Sequence, residues 1–174
     1  RSVPSGNIVA QEIAPIRLIK EYKPISVKKF DEKTYLFDLG QNMAGVSKIK
    51  VKGKEGTILK IAHGERLHEN GRLDLSNIDV YYLGDKDKDP FQTDILILSG
   101  KKVDTFMPKF NYKGFRYVEV TSSEPIELNE STLVAYFVHS DVNQKGTVRT
   151  SSQLVNDLWR ITNNAYLSNL MGYP

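Results

Sequence analysis

Apolar and polar positions alternate in short runs along most of the chain. KIKVKGK, residues 48–54, sets lysines at every second position around Ile49 and Val51, the pattern of a strand with one solvated face. Runs rich in Val, Ile, Tyr, Phe and Thr predict strands over 35–39, 46–51, 57–63, 80–83, 92–98, 103–107, 115–121, 133–139 and 146–149. Turn signals separate them, among them Gly53-Lys54-Glu55-Gly56, Glu69-Asn70-Gly71 and Ser99-Gly100. In FRYVEV the alternation puts Phe115, Tyr117 and Glu119 on one face and Arg116, Val118 and Val120 on the other. Many short strands without intervening helices predict an all-β chain, an antiparallel sandwich in which each strand buries one face.

Both ends depart from this rhythm. Pro4, Pro15 and Pro24 punctuate the first 30 residues, because proline fixes φ and removes a backbone donor. IRLIKEYKPISV reads as one edge strand broken at Pro24. From Ser151 the period becomes helical, with Leu154, Val155, Leu158, Ile161, Thr162 and Ala165 on one stripe. Ser151 or Ser152 can cap the first turn. Trp159, Tyr166 and Leu170 fall largely off the stripe, so the apolar surface is wider than one sheet face would cover. The helix therefore either wraps the sandwich edge or packs on something beyond it. Residues 1–30 are expected to be an extended lead-in with an edge strand, 31–150 the sandwich, and 151–174 the helix.

Gly40-Gln41-Asn42-Met43-Ala44-Gly45 separates the first two predicted sandwich strands. It reads as a hairpin turn with glycines at its ends, yet it carries an amide pair and a methionine.

The balance of 24 basic and 21 acidic residues, net +3, gives no basic stripe beyond KIKVKGK and no argument for nucleic acid. The hydrophobic share of 40% with 26% charged residues excludes a disordered chain. Cysteine is absent, which removes disulfides and thiol chemistry. No apolar run is long enough for a membrane-spanning helix. The chain starts with Arg1, as a processed or excised piece would. DKDKDP, residues 85–90, reads as a solvated hairpin tip and lacks the glycine and distal glutamate of a calcium loop.

Candidate chemistry is sparse. His63, His68 and His139 show no metal-ligand spacing and read as satisfied or solvated side chains. No nucleophile elbow or phosphate loop occurs, and no metal or cofactor is expected. Sugar hydrolysis needs two carboxylates near each other. Asp38, Glu65, Glu69, Asp74, Asp79, Asp94 and Glu119 are the candidates. Glu65, which follows Gly64 at a strand end, projects best into a groove, but no partner carboxylate is evident. In NYKGFRY, Tyr112 and Phe115 can stack on a sugar ring while Arg116 bonds its hydroxyls. Packing at a strand entry, with Gly114 permitting the turn, explains the same residues.

GQNMAG, HGERL followed by ENGRLD, NYKGFRYVEV, VHSD and a serine-started helix ending in MGYP occur in one order. In this the chain resembles the bacterial alpha-L-rhamnosidase family over nearly all of residues 14–174. Within that family it resembles the concanavalin-like, jelly-roll β-sandwich that precedes the catalytic domain. The resemblance implies an inverting glycoside hydrolase that removes terminal alpha-L-rhamnose. It places the catalytic carboxylates in a separate (α/α)6 barrel of the same polypeptide, and none in this chain. It also implies that Arg1 lies inside a longer bacterial protein, periplasmic or secreted rather than cytoplasmic. Gln41, Asn42, Glu65, Tyr112, Gly114 and Arg116 become candidates for the domain boundary or one wall of the substrate cleft. GQNMAG is expected to face the barrel, with Met43 as an exposed, adaptable plug. The alternative is a carbohydrate-binding module that holds rhamnose-containing glycans.

Overall fold

The β-branched and aromatic runs form strands wherever a neighbouring strand can take their backbone hydrogen bonds. In the computed structural model, which describes residues 5–84 and 90–172, they form ten strands and one α-helix among those residues. Most of the charged tip, 85–89, and the last two residues of MGYP lie outside the described residues.

The strands are β1 (Ile16–Tyr22), β2 (Ser26–Lys29), β3 (Thr34–Val51), β4 (Ile58–Gly64), β5 (Arg66–Leu67), β6 (Leu73–Asp74), β7 (Thr93–Ile97), β8 (Asp104–Phe106), β9 (Lys113–Ser122) and β10 (Leu133–Ser140). The helix α1 spans Gln153–Asn169. The main sheet runs β1-β10-β3-β9-β4-β7, all antiparallel, with β2 and β8 also paired to β3. This is the expected all-β sandwich with a C-terminal helix, built from one sheet curled over its own core.

β3 makes the curl possible. Its 18 residues would span about 60 Å if straight, at roughly 3.3 Å per residue, far longer than an ordinary strand. Its first part pairs with β2 and β9, and its last part with β10 and β8. Tyr35, Phe37 and Leu39 from one part and Ile49 and Val51 from the other enter the same core, with Leu59, Val118, Val120 and Leu133.

GQNMAG lies inside β3 and is not a hairpin turn between two strands. The β3–β9 register jumps there: Asp38 pairs with Tyr117 and Met43 with Phe115, so the four residues 39–42 of β3 stand opposite Arg116 alone. This is a wide bulge, which bends a strand and raises its twist. Gly40 takes φ +73, open to glycine at little cost. Gly45 allows close approach of β10, since a Cβ there would collide with the Tyr136 carbonyl oxygen. Beside the bulge the strict alternation of FRYVEV fails, and Phe115 shares the core with Val118 and Val120.

Three further expectations need correction. IRLIKEYKPISV is two strands on different partners, β1 on β10 and β2 on β3, with Pro24 at the crossing. The predicted strand over 80–83 has no neighbouring ladder; Asp79–Tyr81 closes a single 3₁₀ turn instead. Residues 146–149 take no regular structure, being exposed chain with no strand to pair with. The lysines of KIKVKGK do point outward around buried Ile49 and Val51.

If close approach at Gly45 holds β3 to β10, Gly45→Ala destabilises the chain by about 1–3 kcal/mol, as overpacking does. Gly146→Ala, where a Cβ meets nothing within 4 Å, changes stability far less. Urea unfolding of both variants measures the difference.

Candidate functional site

The bulge frees its polar side chains from the ladder, and they gather at one place. Gln41 donates from Nε2 to Asn164 Oδ1 of α1 at 2.6 Å. Asn164 returns a bond from Nδ2 to the Asn42 carbonyl at 2.9 Å. Asn42 donates from Nδ2 to Glu65 Oε1 at 2.6 Å. Glu65 follows β4 and leans over Gly114 of β9, where a Cβ would come within 3.8 Å of Oε1. Loop amide, helix amide and carboxylate thus form one seam between the sandwich and α1.

A second pair anchors the base of the bulge. Arg116 meets Asp38 with two bonds of 2.8 Å, from Nε and from Nη2. The Gly40 amide adds a third at 2.7 Å. Burial works to raise the Asp38 carboxyl, but Arg116 and the Gly40 amide outweigh it and hold it below the ordinary carboxylate range. Arg116 therefore has a structural partner.

Met43 corrects the expectation for this turn. It is 2% exposed and belongs to the sandwich core. It shares the odd-numbered face of β3 with Tyr35, Phe37, Leu39, Ile49 and Val51, so it sits in the sandwich core and does not plug a domain boundary. Gln41, partly buried, faces α1; Asn42 is exposed and meets the helix through its carbonyl, while its side chain reaches Glu65.

α1 presents the opposite face to the one its pattern suggests. Asn163, Asn164, Leu167 and Ser168 lie partly buried toward the sheet, and Leu167 packs on the core. Leu154, Leu158 and Ile161 remain 69%, 55% and 56% exposed, with Val155 and Tyr166 beside them. The sandwich edge therefore leaves this stripe uncovered among the described residues. Ser152 occupies the N-cap position without a side-chain bond. Asn156 ties the first turn instead, accepting from the Thr150 amide at 2.8 Å and donating to the Thr150 carbonyl at 2.9 Å.

Behind the seam lies a buried polar cluster. His63, 1% exposed, accepts at Nε2 from the Ser47 hydroxyl at 2.8 Å when its Nδ1–H donates to the Gln92 carbonyl at 3.2 Å. The Phe115 ring stands edge-on to it at 4.8 Å. Burial, then the nearby Lys113 ammonium, push the imidazole down to about 4. Lys113 pairs with Asp94 at 2.7 Å, both nearly buried. Asp94 Oδ2 has no hydrogen-bond partner among the described residues. His139 bonds the Ser140 carbonyl at 2.7 Å through Nδ1, and His68 stands 3.7 Å from Asp74.

At the start of β9, Tyr112 lines an open cleft of about 420 Å³ with Tyr82, Phe91, Gln92, Asn111, Lys113 and Gly114. The candidate residues thus divide. Gln41, Asn42 and Glu65 share the seam, Arg116 supports it, and Tyr112 stands apart in the cleft. Reading the sequence missed Asn164 and Lys113. Two adjacent asparagines inside a helix were the available signal, because asparagine favours helix interiors poorly unless its side chain has other work.

The family model for the bacterial alpha-L-rhamnosidase concanavalin-like domain matches residues 28–139. An alpha-L-rhamnosidase of Formosa agariphila is 30% identical over 97% of this chain and 17% of its own length. Among solved structures, the alpha-L-rhamnosidase of Dictyoglumus thermophilum is 32% identical with a TM-score of 0.83, over 95% of this chain and 18% of that one. The Streptomyces avermitilis alpha-L-rhamnosidase, solved with L-rhamnose, is 28% identical with a TM-score of 0.83, over 96% and 15%. The chain spans under a fifth of each of these relatives.

Two outcomes follow from the geometry. Gln41→Ala and Asn164→Ala are coupled, with an interaction energy of about 1 kcal/mol in a double-mutant cycle read by urea unfolding. For His63, the folded-state value near 4 lies below the unfolded value of 6.5, so the unfolded chain takes the proton first. The stabilisation from neutral His63 is complete above about pH 6.5 and declines as pH falls toward 4, by about 3 kcal/mol. Thermal unfolding across pH 4–7 shows this decline, and His63→Gln flattens it in that window.

Proposed function

We propose, from the premise that this chain belongs to the bacterial alpha-L-rhamnosidase family through its concanavalin-like domain, that it is a non-catalytic brace for a larger alpha-L-rhamnosidase. Its partner in this reading is the catalytic (α/α)6 barrel of the same polypeptide. The observation that carries the reading is the orientation of α1. A polar seam holds the helix to the sandwich, and its continuous apolar stripe faces away. Stripes of this kind normally mark an interaction surface. The region the relatives share with this chain is 15–18% of their own length, which leaves room for such a partner.

In this reading Gln41, Asn42 and Glu65 set the register of α1 and so the position of the barrel. The chemistry, hydrolysis of terminal alpha-L-rhamnosides, belongs to the barrel. Asp38 is committed to Arg116, and Glu65 to Asn42, which suits structural work better than acid–base work.

The test uses the full-length protein. Leu158→Asp with Ile161→Asp lowers the thermal midpoint and slows release of the aglycone from an aryl alpha-L-rhamnoside. Val103→Asp, at a residue equally exposed on the sandwich, changes neither. A double variant with unchanged midpoint and rate would refute the brace.

A further inference from the structure

The cleft beside Tyr112 is not used by the brace. The Tyr82 and Phe91 rings stack on each other with centroids 5.1 Å apart and planes 27° apart, and both residues line the cleft. Tyr112 is 52% exposed on the same cleft. Between these rings stand amide and hydroxyl groups. Asn111 accepts from Lys113 at 3.3 Å through Oδ1, and its amide nitrogen has no partner among the described residues. Gln92 donates to the Gly114 carbonyl at 3.3 Å, and Thr93 donates to the Phe91 carbonyl at 3.0 Å, which leaves oxygen lone pairs on both side chains.

The charge in this cleft is already cancelled. Lys113 is its cation, and it is bonded to Asp94 at 2.7 Å. An anionic ligand would have to compete with that buried carboxylate. A neutral ligand would not. The cleft therefore combines flat apolar rings, uncharged donors and acceptors, and a volume of about 420 Å³, within the usual range of about 300–1,000 Å³ for small-molecule sites. A pyranose has the matching chemistry: one face of C–H groups for the rings, and hydroxyls at its edge for the amides.

We infer that this cleft is a binding subsite for a neutral pyranoside, with Tyr112 and the Tyr82–Phe91 pair as its walls and Asn111 and Gln92 as its hydroxyl partners. Through Gly114 the subsite adjoins Glu65 and the α1 seam. A glycan seated there would run beside the surface assigned to the barrel. The subsite does not depend on the brace, since it uses none of the exposed residues of α1.

The probe is methyl alpha-L-rhamnoside, titrated into the 174-residue chain and followed by amide chemical shifts. Saturable shifts at Gln92, Asn111, Lys113 and Gly114, with a dissociation constant below about 10 mM, are expected. Tyr112→Ala weakens binding at least about tenfold. Asn111→Ala does so by a similar factor, and both variants keep the unfolding midpoint of the parent. Leu158→Asp with Ile161→Asp leaves binding unchanged, which separates this subsite from the brace. Absence of saturable shifts up to that concentration, or equal affinity in Tyr112→Ala, would overturn the inference.

Discussion

The fold depends on one strand serving two layers. Among the described residues β3 alone pairs with four other strands, and it lends its two halves to opposite walls of the core. A straight strand of that length would leave one half without a core. The bulge at Gly40–Met43 resolves this, and the Asp38–Arg116 pair fixes where the bend falls. A bulge also leaves backbone and side-chain groups unpaired, and α1 is recruited to satisfy them. The bend and the docking of the helix are therefore one device.

The polar groups of the interior follow a related logic. His63 and Ser47 bond each other across β4 and β3, while Lys113 and Asp94 bond across β9 and β7. Such buried pairs add little net stability, because desolvation consumes most of their attraction. They do penalise misregistered pairing, since a slip of one residue would leave each group alone in the core. In a sheet whose long strand changes partners midway, that register control has clear value.

Much of this was legible in the sequence. Period-two alternation located β3, β4, β7, β8, β9 and β10, and helical spacing located α1. Errors arose where the residues gave a correct local pattern but the partner was elsewhere. The apolar run over 80–83 has strand-like side chains and no strand beside it. The glycine-bounded GQNMAG looks like a hairpin because a wide bulge and a turn use the same residue types. Met43 was misplaced because a turn has no inward face, whereas the alternation of Tyr35, Phe37 and Leu39 continues through the bulge to Met43, Ile49 and Val51. Asn164 and Lys113 escaped notice because a polar residue shows its purpose only once its partner, far away in sequence, is known. The tyrosine of NYKGFRY was recognised as a ring that could bind, but Tyr82 and Phe91, which complete its cleft, lie some 20–30 residues away.

The orientation of α1 has a consequence for assembly. Most helices acquire their direction by burying an apolar stripe against their own domain. This one is aimed by amide side chains together with Leu167 and the C-cap residue Leu170, with the stripe left uncovered by the sandwich. The sandwich therefore bears the conformational entropy of ordering the helix before any second surface arrives. A partner meets a rigid template, and its binding energy is not diminished by the cost of fixing that helix in place.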